Sequence, residues 1–304
     1  DWDYELIDML GYNKEIFQKV QMPGTSVGHF TKEIQDQVGF DCEVVLCGSH
    51  DTASAVLAVP ANDDDFLYIS SGTWSLMGIE KKEADCSAAS QKANLTNEGG
   101  YDGKIRLLRN IMGLWLIQET RRWYSSAQCT EYTFAELEDM ARQSAPFVSF
   151  IDPNAPDFAA PDDMPLKIQE YCRKTSQPVP ETPGEIMRCI YQSLACEFAL
   201  TFSEIASLTG FDYRRIHMIG GGTKDKLLCQ LTADAAGVTT VAGPTEATAL
   251  GNGLSTLIAL GEIPDIAAAR SMIISSGLTK EYAPAGHEQW SEPLERYRKL
   301  TRSK

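Results

Sequence analysis

The apolar and polar positions of the first sixty residues mark out two short helices, a strand and a third helix. "YELIDML" (4–10) carries a helical stripe that Gly11 ends, and "MPGTSVG" (22–28) is turn chemistry built on a Pro-Gly pair. "HFTKEIQDQV" (29–38) is a second helical stretch, closed by Gly39. "EVVLC" (43–47) predicts a strand and "TASAVLAV" (52–59) a helix of small residues. One strand makes no sheet, so this section reads as the closing part of an α/β domain whose earlier strands are absent. After Pro60 the polar tract "ANDDD" (61–65) reads as a boundary.

Beyond it the pattern predicts strands at "FLYIS" (66–70) and "WSLMGIE" (74–80), joined by "SGT". Gly-Gly and Asp-Gly turn signals then precede a helix over 104–125, apolar around much of its circumference and therefore buried. The Pro/Asp-rich stretch 152–165 reads as a solvated surface excursion. Thr182-Pro183-Gly184-Glu185 is a capping box with Pro at the first helical position, and it opens a helix that Gly210 closes. A strand at 215–220, a helix from about Lys226 to Ala236, a strand at 239–243 and a helix from about Glu246 to Leu260 complete an alternating α/β pattern.

Composition narrows the function. The 304 residues are 43% apolar and 23% charged, as in a soluble globular protein. The net charge of −15 argues against broad nucleic-acid binding. The longest apolar run, 190–208, is broken by Gln192, Glu197 and Glu204, so no membrane span is expected. The chain starts at Asp1 rather than Met, which leaves a preceding targeting segment open. The eight cysteines show no CxxC pair and no Cys/His ligand spacing, which excludes the familiar zinc motifs and makes reduced cytosolic thiols the default. Cys172 and Cys189 flank a loop and are the one pair placed to meet.

Three loops have phosphate-site character. Ser70-Ser71-Gly72-Thr73 offers a tight turn and a hydroxyl, although "SGT" between strands reads first as a hairpin turn. Gly220-Gly221-Gly222 joins a strand to a helix, where backbone can approach an anion; it is no GxGxxG fingerprint, and a plain turn explains it equally well. Gly243-Pro244-Thr245-Glu246 opens another helix and reads as capping. On the expected helix 104–125, Leu107, Asn110 and Leu114 share a stripe, which places Asn110 among apolar neighbours, with Gln118 on a nearby face. Both amides either bond nearby backbone or point into a ligand cleft. In "GSHDTASAV", Asp51 stands where a strand hands over to a helix. As a helix cap it needs no chemistry; as a base at a strand's carboxyl end it could take the proton of an attacking substrate hydroxyl. His50 beside it could donate to a polyol or be purely structural.

Taken in order, "GSHDTASAV", "YISSGTWSLMG", "NEGGYDGKIRLLRNIMGLWLIQE", "MIGGGTKDKLLCQLTADAAG" and "GPTEATALGNG" resemble the FGGY family of carbohydrate kinases, within the sugar-kinase/actin/Hsp70 superfamily. The resemblance runs over nearly the whole chain, and the stretch with the His-Asp pair looks most like the members that act on L-rhamnulose. It implies a cytoplasmic enzyme with ribonuclease-H-like domains, transferring the γ-phosphate of ATP, with Mg²⁺, to the 1-hydroxyl of L-rhamnulose or a related ketose such as L-fuculose or D-xylulose. On this resemblance Asp51 is the catalytic base and His50 contacts the sugar. Thr73 falls on the second phosphate loop, Asn110 and Gln118 on nucleotide-side positions, and Gly221, with Gly220 and Gly222, on the adenosine loop. The family usually opens with a strand and a "DxGxxxxR"-like first phosphate loop, absent here, as is most of the first domain. Residues 1–62 then correspond to the end of domain I and 63–304 to domain II, and this chain alone is expected to show little or no kinase activity. Asp225 stands where Asn is expected and Thr256 where Gln is common. A non-catalytic ATP-binding module of the same superfamily is the rival reading from a different class.

Overall fold

The computed structural model describes residues 1–62, 66–127 and 130–302. The first fifty residues form a loose arm of α1 (Tyr4–Met9), β1 (Ser26–His29), α2 (Lys32–Val38) and β2 (Glu43–Val45), followed by α3 (Asp51–Leu57). Asp3 caps α1 through the Leu6 N–H, and Gly39 closes α2 in the left-handed conformation. The isolated strand expected at 43–47 has a partner: β1 pairs antiparallel with β2, inside the segment taken as turn and helix start. Turn residues surround β1, so no alternating run announces it. Asp63, Asp64 and Asp65 of the expected boundary tract lie outside the described residues.

The body begins with β3 (Leu67–Ser71), β4 (Trp74–Lys81), α4 (Ala88–Lys92), β5 (Thr96–Gly99) and β6 (Ile105–Met112). Helices α5 (Trp115–Ala127), α6 (Phe134–Gln143), α7 (Met164–Lys174) and α8 (Pro183–Thr209) follow. The chain closes with β7 (Arg215–Ile219), α9 (Lys226–Ala236), β8 (Thr239–Ala242), α10 (Ala247–Ala259), α11 (Ile266–Ser275), β9 (Lys280–Tyr282) and α12 (Ser291–Arg302). Seven strands make one mixed sheet in the order β5-β6-β4-β3-β7-β8-β9. The run β3, β4, β6 is an antiparallel meander, while β7 and β8 lie parallel to β3 and are reached through helices. This is an α/β core of the kind the ribonuclease-H-like expectation describes.

The expected helix over 104–125 is overturned. Its first half is β6, between β4 and β5, and only after Gly113 does α5 begin. A strand covered on both faces is apolar all round, as a buried helix is, so periodicity alone does not separate the two. Arg106 and Arg109 add to the ambiguity: both are buried on β6, Arg106 paired with Glu98 and Arg109 with Glu197 and Glu204. The stripe of Leu107, Asn110 and Leu114 therefore does not exist. On a strand Leu107 and Asn110 face opposite ways; Leu107 is fully buried and Asn110 is exposed.

The stretch 152–165 also departs from expectation. Phe158 and Met164 are completely buried, the Trp115 indole donates to the Phe158 carbonyl, and Asn154 Oδ1 accepts from the Met112 N–H. Proline and aspartate set its turns while its few apolar residues anchor it, with Asp163 capping α7. The capping box at Thr182 and Glu185 forms as expected, and Gly210 ends α8. One face of the sheet packs on α8 and α9 in the larger apolar cluster; α3, α10 and α11 form the smaller one on the other side. There Gly251 of α10 meets α3 so closely that a Cβ on it would lie 1.7 Å from the Ser54 carbonyl oxygen. The small side chains of α3 permit that crossing.

Candidate active site

Helix α3 starts where β2 ends, and Ser49 turns the corner at a φ of 60°. His50 occupies the N-cap position and makes no side-chain cap, so Asp51 is the first helical residue. Asp51 Oδ1 accepts the Thr52 N–H at 2.8 Å and lies 3.4 Å from His50 Nδ1. Oδ2 has no protein partner among the described residues, and the side chain is 76% exposed. Asp51 is therefore not the N-cap residue expected of it, because it lies one position inside the helix; one oxygen is held by the Thr52 N–H and the other faces outward. Thr248 on α10 donates to the Asp51 carbonyl oxygen, fixing the start of α3 from the other side.

Asp51 faces a cavity of about 570 Å³ that it lines with His50, Thr52, Gly72, Thr73, Trp74, Glu98 and Asn110. Thr73 and Asn110, far apart in sequence, come together because β4 pairs with β6 and sets Trp74 opposite Met112. Asn110, expected on the nucleotide side, lines this cavity with His50 and Asp51 and also a neighbouring one with Trp74 and Arg109. Glu98 and Trp74 were missed by sequence reasoning. Trp74 is half exposed directly after the Ser-Gly-Thr turn, a position that carries a visible signal; Glu98 sits in a turn-rich stretch that carries none.

A second cavity, of about 700 Å³, is lined by Gln118, Glu138, Arg142, Gly221, Lys224 and Asp225. Here Gln118 and Gly221 do meet. The triple-glycine loop packs on β3: a Cβ on Gly222 would lie 2.1 Å from Ser71 Oγ, so no larger residue fits. Gly220 donates to the Pro244 carbonyl and Thr223 Oγ1 lies 2.8 Å from Thr245 Oγ1, which ties in the third loop. Asp225 caps α9 through the Leu228 N–H and accepts from the Tyr191 hydroxyl at 2.5 Å. Burial raises its carboxyl to about 6, against the lowering effect of those two donors. Thr256 bonds the Asn252 carbonyl within α10 and lines neither cavity.

The Ser71–Thr73 turn lines the first cavity through Gly72 and Thr73, and it touches the walls of the second only through its neighbours. Its carbonyls accept the N–H groups of Gly113, Leu114 and Trp115, which lead into α5 and Gln118, while Ser71 supports the glycine loop. Among the described residues no group of three His, Cys, Asp or Glu side chains is placed to hold a metal ion. No helix among them is long and apolar enough to cross a membrane. Seven cysteines are free thiols, Cys172 and Cys189 included, and Cys129 lies outside the described residues.

Residues 67–260 match the sequence model of the FGGY family of carbohydrate kinases, C-terminal domain, and the chain belongs to that family. Curated relatives include a rhamnulokinase of Halalkalibacterium halodurans, 43% identical over 94% of this chain and 60% of the relative. Another, from Enterococcus faecalis, is 46% identical over 92% of this chain and 57% of the relative. The chain thus spans somewhat over half the length of these relatives. Among solved structures it resembles a ligand-bound xylulose kinase from Lactobacillus acidophilus, at a TM-score of 0.72, 16% identity, all of this chain and 60% of that one. A glycerol kinase from Plasmodium falciparum with ADP gives 0.71 at 14% identity, over 99% of this chain and 60% of that one. These likenesses bear on the fold, which is that of the FGGY sugar kinases, with their actin/Hsp70-like architecture.

Proposed function

We propose that this chain carries the catalytic base and the nucleotide side of an ATP-dependent kinase that phosphorylates L-rhamnulose at its 1-hydroxyl. The rhamnulokinase relatives support the sugar, and the family supports ATP. The observation that carries the reading is the free Oδ2 of Asp51 facing a cavity that Thr73 shares. In this reading His50 and Asn110 hold sugar hydroxyls, Gln118 and Gly221 lie along the nucleotide, and the Ser71–Thr73 turn receives the phosphates between them. Asp51 takes the proton from the sugar O1 as O1 bonds to the γ-phosphorus. The bond from that phosphorus to the β-bridging oxygen breaks, and ADP leaves. Positioning carries most of the acceleration. Mg²⁺ fits as an ion that arrives on the nucleotide phosphates and asks for only one or two protein carboxylates. Residues 1–62 act in this reading as the end of a first domain and 63–304 as the second, and a cytoplasmic location goes with it.

The test uses this chain joined to an N-terminal portion of the length its relatives carry, in an ADP-release assay across a panel of ketoses. L-rhamnulose is expected to give the highest kcat/KM; preference for L-fuculose or D-xylulose would reassign the substrate. Asp51→Asn is expected to lower kcat by roughly 10²–10⁴-fold with ATP binding retained, and melting temperature held because the amide oxygen can accept the same Thr52 N–H. Turnover kept in Asp51→Asn would remove the base. The 304-residue chain alone is expected to release little ADP, and ordinary sugar-dependent turnover by it would overturn the need for the additional portion.

A further inference from the structure

Away from both cavities, on the N-terminal half of α8, lies a small cavity of about 60 Å³. Val148, Ser149, Pro180, Arg188, Cys189 and Gln192 are among the residues around it. Besides the Glu185 carboxylate and the Ser149 hydroxyl, its polar side chains are the donors Arg188 and Gln192. Gln192 is 1% exposed, and its Oε1 accepts the Phe147 N–H at 2.8 Å. That bond fixes which way the amide faces, because an N–H can be met only by the carbonyl oxygen. The Gln192 Nε2 is then a buried donor with no acceptor among the described residues. Arg188 is in the same condition. It is half buried, its Nε has no acceptor, and no carboxylate lies within ion-pair distance of it among the described residues.

Nearby acceptors are already engaged. The Phe147 and Val148 carbonyls accept from Arg296 on α12, the Cys189 carbonyl from Ser193, and the Pro180 carbonyl from Gln169. The one carboxylate at the rim, Glu185, is exposed and turned to the Glu181 and Thr182 N–H groups as the N3 half of the capping box. A half-buried cation and a buried amide donor without acceptors each cost free energy that a small anion would offset.

We propose that this cavity binds a small monovalent anion of chloride size between the Arg188 guanidinium and the Gln192 amide. The volume admits one such ion or two waters, at roughly 30 Å³ per water, and excludes a sugar or nucleotide. Burial first, and the charge of Arg142 after it, hold the Arg188 guanidinium below its ordinary value. An anion restores the favourable setting for the charged form.

The probe is chloride, exchanged against gluconate at constant ionic strength, with the 304-residue chain. The wild type is expected to broaden the ³⁵Cl resonance. Its melting temperature should rise by about 2–4 °C by the time chloride reaches about ten times its dissociation constant, and then climb in proportion to the logarithm of chloride. Arg188→Met removes the broadening and the rise, and in gluconate melts at or above the wild type because no unpaired cation remains. Arg188→Lys keeps the charge but loses the planar fork, and should raise the chloride midpoint at least threefold. Equal broadening in wild type and Arg188→Met, or a midpoint unchanged in Arg188→Lys, would overturn the site.

Discussion

Residues 1–50 and the body that follows use apolar side chains in opposite ways. Before residue 50 only Ile7 is buried, while thirteen large apolar residues stand exposed, from Trp2 through Met9, Ile16 and Phe40. From Thr52 onward two continuous clusters take up nearly every Leu, Ile, Val and Met of the strands and central helices. Local rules are obeyed equally in both regions, with a side-chain cap on α1, a left-handed glycine ending α2 and a hairpin pairing β1 with β2. The arm thus has secondary structure without a core, and an exposed apolar surface of that extent marks an interaction face. Its relatives run to roughly one and a half times this length, which leaves room for a further portion to cover that surface.

The largest effect expected from this contrast comes where the body is tightest. Gly251→Val places a side chain on the Ser54 carbonyl at the crossing of α3 and α10. Overpacking of that kind costs about 1–3 kcal/mol where neighbours can yield and more where the obstacle is backbone, as here. A melting temperature lowered by 10 °C or more, or failure to fold, is expected. A shift under 2 °C would show that α3 belongs with the loose arm.

Next in size is Leu228→Ala in the core of α9, expected to lower stability by about 2–5 kcal/mol in urea titration with an unchanged m-value. A loss under 1 kcal/mol would mean that the two clusters are no firmer than the arm.

Asp225 gives a third test through pH. Its folded carboxyl is raised to about 6, above the ordinary 3.8, so the folded state holds a proton that the unfolded state releases between those values. By linkage its contribution falls as pH rises from about 4 to 6, by at most about 2–3 kcal/mol. His217, pushed down to about 4 by burial, gives the opposite slope up to about 6.5. The measurement is therefore the difference between wild type and Asp225→Asn. The variant keeps the cap and a Tyr191 acceptor, and is expected to be the more stable at pH 7, with the gap closing toward pH 4. A gap independent of pH would refute the raised carboxyl.

Most of the body was legible in the sequence, because its signals are local and redundant. The capping box at Thr182, the helix after Asp225 and the strands at 67–71, 74–81, 215–219 and 239–242 each have a pattern with a stop on both sides. What failed was β6. It lies between β4 and β5 and is buried on both faces over most of its length, and its two arginines are neutralised by glutamates as distant in sequence as Glu197 and Glu204, so no window around it holds the needed information. That error displaced Asn110. The candidate site was legible only in part for the same reason: Asp51, Thr73 and Gly221 announce themselves by position at strand and helix ends, whereas the company Asn110 keeps is decided by the β4–β6 register.

The smallest effect is the most informative about the arm. Ile16 is 67% exposed, so Ile16→Ser removes little apolar burial from this chain and is expected to change its stability by less than about 0.5 kcal/mol. The same substitution in a chain extended to the length of the relatives should cost more, about 1.5–3 kcal/mol, if the additional portion buries that side chain fully. The pair of measurements separates two explanations of the exposed surface. A cost that appears only in the longer chain makes the arm one half of an interface whose other half is the added portion. Equal small costs in both would mean that the apolar residues of the arm stay in water in the longer protein too, and that its looseness is its own.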